Sequence, residues 1–233
     1  MDWPVVVGMV PQLAKGAGLT LQLLFLSGVF GIAMAIPMAL LRIARNPWIN
    51  ALPRLYIYFF RGTPLLVQLF LVYYGLGQFQ AVRESLLWPV LRDAYWCAVL
   101  TFSFHTAAYC AEILRGAIQA VPAGEVEAAR AMGMRPTQVY SRIIMPRAFR
   151  IFLPAYGNEI ILMLKASALA STITLLDLTG VARTLYARNY LPVETFVTAG
   201  LFYLVITCVL AFCVRWLENR LHREREVPAR VIG

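Results

Sequence analysis

Five long apolar runs, near residues 18–41, 57–82, 94–114, 151–176 and 195–214, constrain the fold more than any other feature of the sequence. A helix needs about 20 apolar residues to cross the bilayer core, and each run is of that order. Gly18–Leu41, Gly62–Val82 and Thr195–Val214 carry no Asp, Glu, Lys or Arg. A buried helix of a water-soluble protein imitates one such run; five within 233 residues exceed what a soluble core can hide. The hydrophobic fraction of 60% agrees, against about 45–50% in soluble domains. The pattern predicts an all-α polytopic membrane protein, a single transmembrane domain over residues 1–233 with five transmembrane helices.

The net charge of +9 is distributed in a way that excludes nucleic acid as a partner. Basic residues sit in short clusters between the apolar runs, with no basic amphipathic face. Fifteen of them fall in the loops on one side, from Arg42 to Arg61, Arg115 to Arg150 and Arg215 to Arg230. Five fall on the other: Lys15, Arg83, Arg92, Arg183 and Arg188. Cytoplasmic loops carry the Lys and Arg excess, so the N-terminus is expected outside and the C-terminus in the cytoplasm. An odd number of spans agrees with that. The N-terminus shows neither a basic leading region nor a cleavage site, so no removable signal peptide is expected. Outer stretches near Arg83–Asp93 and Asp177–Glu194 are each long enough for a short helix.

Cys97, Cys110, Cys208 and Cys213 lie inside apolar runs, without a CxxC pair or clustered His. They read as small apolar fillers, and no metal site is expected. There is no GxxxxGK[ST] phosphate loop, so this chain does not hydrolyse ATP by that chemistry. Two histidines and scattered serines make no nucleophile–base–acid set, so no catalytic residue is assigned and an intramembrane protease is disfavoured.

The stretch 121–146, VPAGEVEAARAMGMRPTQVYSRIIMP, reads as two short helices. Pro122 and Gly124 break the third span. Glu125 and Glu127 fall in a first turn, where negative charge suits the helix dipole. Ala128, Ala129, Ala131 and Met132 form helix well, and Gly133 suits a helix C-terminus. Pro136 fits a second start, and Pro146 is expected to end that helix. By pattern alone the segment is either an amphipathic loop packed on its own protein or a surface that another protein approaches closely.

These residues resemble the "EAA" loop of ABC importer permeases, with Glu127-Ala128-Ala129, Gly133, Ile143 and Pro146 at the family's spacings. Phe60–Gln68 (FRGTPLLVQ), Thr106–Tyr109 with Glu112-Ile113, and Asn158-Glu159 with Ser171–Thr174 resemble the polar amino-acid branch. Together they resemble the histidine/lysine/arginine/ornithine permeases, and the arginine and octopine/nopaline permeases especially, of the "M" type. His105 stands where those relatives usually carry Asn, and Gly157 where many carry Ser. The resemblance implies the type I ABC importer permease fold and a multi-pass subunit of the bacterial inner membrane with a periplasmic N-terminus. It implies import of polar, chiefly basic, amino acids or opines. It also implies that Glu127, Ala128, Ala129 and Gly133 form a coupling helix against an ATPase. The implied partners are a second permease, homologous or identical, two ABC ATPase subunits and a periplasmic binding protein. ATP and Mg would belong to the ATPase, with no cofactor on this chain.

Two charges lie inside the fourth span. A charge near the bilayer centre costs about 2.5–3.5 kcal/mol on insertion scales, so it faces a partner or a wet cavity. Glu159 and Lys165 are six residues apart, which turns them roughly 120° apart and separates them by about 9 Å along a helix. A direct ion pair is therefore poor. Glu159 is expected to face the pathway and attract a cationic group, with Asn158 adding a hydrogen-bonding amide; the other reading pairs Glu159 with a partner residue. Lys165 answers either a substrate carboxylate or one on the second permease. His105 and Tyr109 share a helix face, for the pathway or for packing. Glu112 is expected to pair with Arg115 or local backbone, and Arg61–Pro64 to form an elbow. An ion-coupled secondary amino-acid transporter is the alternative reading, disfavoured by five spans without an inverted repeat.

Overall fold

The structure is a computed structural model in which residues 3–44 and 46–222 are described; Arg45, Arg223, Arg225 and Arg230 of the basic count lie outside them. Among the described residues, three helices are long and apolar enough to cross a membrane, and two bent helix pairs raise the number to as many as five.

Helix α1 (Trp3–Ile43) begins well before Gly18, where the first apolar run was expected to start. Its early turns are held because Met9, Leu13 and Ala17 pack against Leu178, Ala182 and Leu185 of α10 (Leu178–Asn189). That tertiary surface makes helix of a segment whose hydropathy alone does not mark it. α2 (Pro47–Gly62) starts at an Asn46 cap, whose side chain accepts from Trp48 N at 3.0 Å, with Pro47 in the first turn. At the end of α1, Arg42 Nη1 donates to Asn50 Oδ1 at 2.8 Å and Asn50 Nδ2 donates to Arg42 O at 2.9 Å, closing the corner.

The second run is broken. α2 ends at Thr63, whose backbone is extended, and α3 (Leu65–Phe70) restarts after Pro64. The two segments meet at 104°, so Arg61–Pro64 is an elbow. Proline disfavours helical geometry in the residue before it. Buried Gln68 secures the bend: its Nε2 donates to Phe60 O, Thr63 O and Thr63 Oγ1 at 2.9, 3.1 and 2.8 Å. A π turn (Leu71–Gly75) and a 3₁₀ turn (Leu76–Gln78) lead to two short helices, α4 (Gln80–Arg83) and α5 (Trp88–Leu91).

α6 (Ala94–Gln119), capped by Asp93 onto Tyr95 N at 2.8 Å, is the central helix. Of its most apolar window 67% is buried, against 11% for α11 (Pro192–His222), which turns Leu204, Val205 and Phe212 outward. Small residues bring α1 and α6 together: Ala35 and Ala39 share a buried cluster with Ala108 and Ala111.

The loop after α6 holds α7 (Ala123–Ala131) and α8 (Pro136–Val139). α7 stops at Gly133, which takes a left-handed φ of +78°. Its N–H reaches Arg130 O at 2.9 Å and that of Met134 reaches Ala129 O at 3.2 Å, a Schellman closure that favours glycine. Pro146 does not end the second helix as expected. α8 continues through a π turn (Tyr140–Ile144) into α9 (Met145–Ala166), with Pro146 in the first turn of α9. The π turn has already shifted the backbone pairing there, so a residue without N–H is tolerated. α9 gives way to a 3₁₀ segment (Ser167–Ile173) and left-handed Thr174, and α10 follows at 51°. Asp177 caps α10 through Thr179 N and Gly180 N, while Leu178 N donates to Thr20 Oγ1 of α1 at 3.0 Å.

Candidate functional site

Glu159 projects from the middle of α9 and is 6% exposed. It lies between two cavities. The smaller, of about 130 Å³, is lined by His105 and Tyr109 of α6 and by Glu159, Leu162, Met163 and Ala166. The larger, of about 430 Å³, lies between α1, α6, α9 and α11 and is mostly apolar. Beyond Glu159 its polar groups include Thr106, whose buried Oγ1 has no hydrogen-bond partner among the described residues, and Tyr156. No cation forms an ion pair with Glu159 among the described residues.

The helical spacing of His105 and Tyr109 stacks their rings at 4.7 Å between centroids, tilted by 35°. His105 Nδ1 lies 3.4 Å from Gln68 Oε1, so the residue that clamps the elbow also reaches the pocket. Behind Tyr109, the Arg61 guanidinium lies 5.1 Å from the ring centroid, a cation–π contact. Three of the five residues expected at the pathway therefore share one pocket. Asn158 and Lys165 do not line it: both are on the exposed surface of this chain, and Glu159 and Lys165 make no ion pair with each other.

Glu112 accepts from Arg115 Nε at 2.8 Å, as expected, and its other oxygen lies 4.0 Å from Arg42. In the loop, Glu127, Ala128 and Gly133 are exposed, and Met132 beside them is 83% exposed. Ala129 is buried and faces its own protein. An ion pair not foreseen from sequence joins Glu125 Oε1 in the first turn of α7 to Arg147 Nη2 on α9 at 2.9 Å. The roles of Gln68, Thr106 and Tyr156 were also missed. For Gln68 a signal existed, a polar side chain one turn after Pro64 in an otherwise apolar run.

The arrangement can hold a cationic group beside the buried Glu159 carboxylate and present a short exposed helix at one end of the bundle. Residues 27–223 match the family described as the binding-protein-dependent transport system inner membrane component. The chain is 48% identical over 213 residues to the octopine transport system permease protein OccM of Rhizobium radiobacter, covering 91% of this chain and 87% of that one. It is 44% identical over 206 residues to the histidine/lysine/arginine/ornithine transport system permease protein HisM of Escherichia coli K12, covering 88% and 87%. A crystal structure of an amino acid ABC transporter with histidines superposes with a TM-score of 0.85 at 35% identity, over 94% of this chain and 99% of that one. The fold is thus that of a type I ABC importer permease, and the chain belongs to the family of binding-protein-dependent transport system inner membrane components.

Proposed function

We propose that this permease subunit carries basic amino acids, or opines built on them, into the cytoplasm, and that Glu159 recognises their cationic group. The observation that carries the proposal is a carboxylate buried in a span, bordered by two cavities and lacking an ion-pair partner among the described residues. An unneutralised charge at that depth is costly, and a bound guanidinium or ammonium offsets the cost where a neutral aliphatic side chain does not. Relatives named for octopine and for histidine, lysine, arginine and ornithine support the same class. His105 and Tyr109 shape the niche. Asn158 and Lys165, exposed on this chain, are suited to contact a second permease or a substrate held between the two.

The complete importer in this reading contains a second permease, two ABC ATPase subunits that bind ATP and Mg, and a periplasmic binding protein. The N-terminus is periplasmic and the α7 loop cytoplasmic. Glu127, Ala128 and Gly133 meet the ATPase, with Ala129 packing the coupling helix onto its own protein. ATP draws the ATPases together and moves α7. Because α8, the π turn and α9 form one continuous helical path, that motion reaches Glu159. The spans then rock about a midplane site.

The test is transport by the complete importer in proteoliposomes. Binding protein and arginine or octopine are enclosed on the side bearing α4 and α5, and ATP is supplied on the side bearing α7. The expected result is ATP-driven release of arginine and octopine toward the ATP side, insensitive to collapse of ion gradients, with glutamine moved poorly. Transport driven by an ion gradient without ATP, or glutamine moved as well as arginine, would contradict the proposal.

A further inference from the structure

A third cavity, of about 630 Å³, lies between the end of α1, α2 and the last turns of α6. Arg42, Arg54, Arg61, Tyr58, Tyr109 and Glu112 are among its lining residues. Its charge is unbalanced. Glu112, the acidic residue in the wall, is already engaged by Arg115. Arg42 reaches it only at 4.0 Å, and Arg42 Nε and Glu112 Oε2 are both buried without a hydrogen-bond partner among the described residues. Arg54, Tyr58 and Arg61 recur at helical spacing along one face of α2. Neither Arg54 nor Arg61 forms an ion pair with a carboxylate among the described residues. Arg61 instead lies over Tyr109, its guanidinium 5.1 Å from the ring centroid.

Tyr109 lines this cavity and also the small pocket of Glu159. The two spaces are thus neighbours along α6, an acidic one at the level of Glu159 and a basic one a turn nearer the α7 loop. Guanidinium groups in a partly enclosed cavity attract an oxyanion and bind carboxylates through paired, charge-assisted hydrogen bonds.

We infer that the Arg42–Arg54–Arg61 cavity is a second substrate site on the exit side of Tyr109, which takes the carboxylate of the transported molecule after its cationic end leaves Glu159. This rests on the reading of the chain as an importer of basic amino acids or opines. A molecule with a cationic end and a carboxylate is passed from an acidic niche to a basic one, past a tyrosine common to both. An opine, with two carboxylates, is held there more tightly than arginine, with one. Substrate accumulated on the α7 side refills the cavity and slows further release.

The experiment uses the complete importer in proteoliposomes of zwitterionic lipid, with binding protein and labelled arginine inside and ATP in the bath on the α7 side. Octopine, arginine or agmatine, which is arginine without its carboxylate, is added to the bath. The expected order of inhibition is octopine, then arginine, then agmatine. Arg54→Gln and Arg61→Gln each raise the half-inhibiting octopine concentration about tenfold, the scale of losing one charge-assisted hydrogen bond. Arg54→Lys retains part of the inhibition, and Arg83→Gln, beside α4, leaves it unchanged. Agmatine inhibiting as well as arginine overturns the inference, a comparison that needs no variant. So does an octopine concentration unmoved in both Gln variants, or inhibition that requires anionic lipid instead of the arginines. If the unaltered importer moves neither arginine nor octopine, the functional reading fails and takes this site with it. Normal transport with unaltered bath inhibition removes the second site alone.

Discussion

At Gly157 the absence of a side chain lets α9 and α11 touch: a Cβ there would meet Val214 Cγ1 well inside van der Waals contact. The same turn carries Glu159, so the packing that seats α9 also bears on the placement of its carboxylate. Overpacking of this kind costs about 1–3 kcal/mol. Gly157→Ser is expected to lower thermal stability of the purified permease, and adding Val214→Ala to recover most of the loss. A Gly157→Ser protein as stable as the parent would show that α11 yields freely at this point. Residue identity announced some of this chemistry and not the rest. A carboxylate in an apolar run identifies itself as costly, which is why Glu159 was legible. That His105 and Tyr109 join it while Asn158 and Lys165 turn outward depends on the rotation of α9 against α6, which only packing sets.

Among the helices, the α7 loop is the part most fully readable from sequence. Its breaks are local: Gly133 closes α7 by its own left-handed backbone, and Pro136 opens α8. The misreadings lie where a break is compensated by something distant. Pro146 signals an end, but the π turn before it absorbs the missing N–H and the helix runs on. Nor does the sequence show that the fourth run changes to 3₁₀ at Ser167 before the turn at Thr174, beyond which α10 is tied to α1 through Thr20. The Glu125–Arg147 ion pair is a side-chain link from α7 to α9. Partly exposed pairs contribute about 0–1 kcal/mol, so its loss is expected to leave folding almost unchanged and to loosen transmission. Glu125→Gln and Arg147→Gln should each raise the ATP consumed per substrate moved. The reversed pair, Glu125→Arg with Arg147→Glu, should restore most of the coupling. Equal uncoupling in the single and reversed variants would show that the pair transmits nothing.

For the whole molecule, hydropathy carried the fold class because apolar runs of bilayer length leave a short chain few alternatives. It did not carry the elbow angle of 104°, which depends on Gln68 gripping backbone eight residues back. Nor did it separate an ATP-driven importer from an ion-coupled carrier, since both tolerate a buried carboxylate; the family match decides for the former. What unites the molecule is a short exposed helix, α7, at one end, a continuous helical path from α8 into α9, and a buried acidic group on α9 that borders two cavities. The most direct measurement is Glu159→Gln, which keeps the shape of the side chain and removes its charge. Uptake of arginine, octopine and glutamine is compared in vesicles carrying the complete importer, with assembly and basal ATP hydrolysis followed in parallel. Selective loss of arginine and octopine uptake, about tenfold or more for one lost charge contact, with assembly intact, is the predicted result. Unchanged arginine uptake, or failure of the importer to assemble, would contradict a substrate-binding role for Glu159.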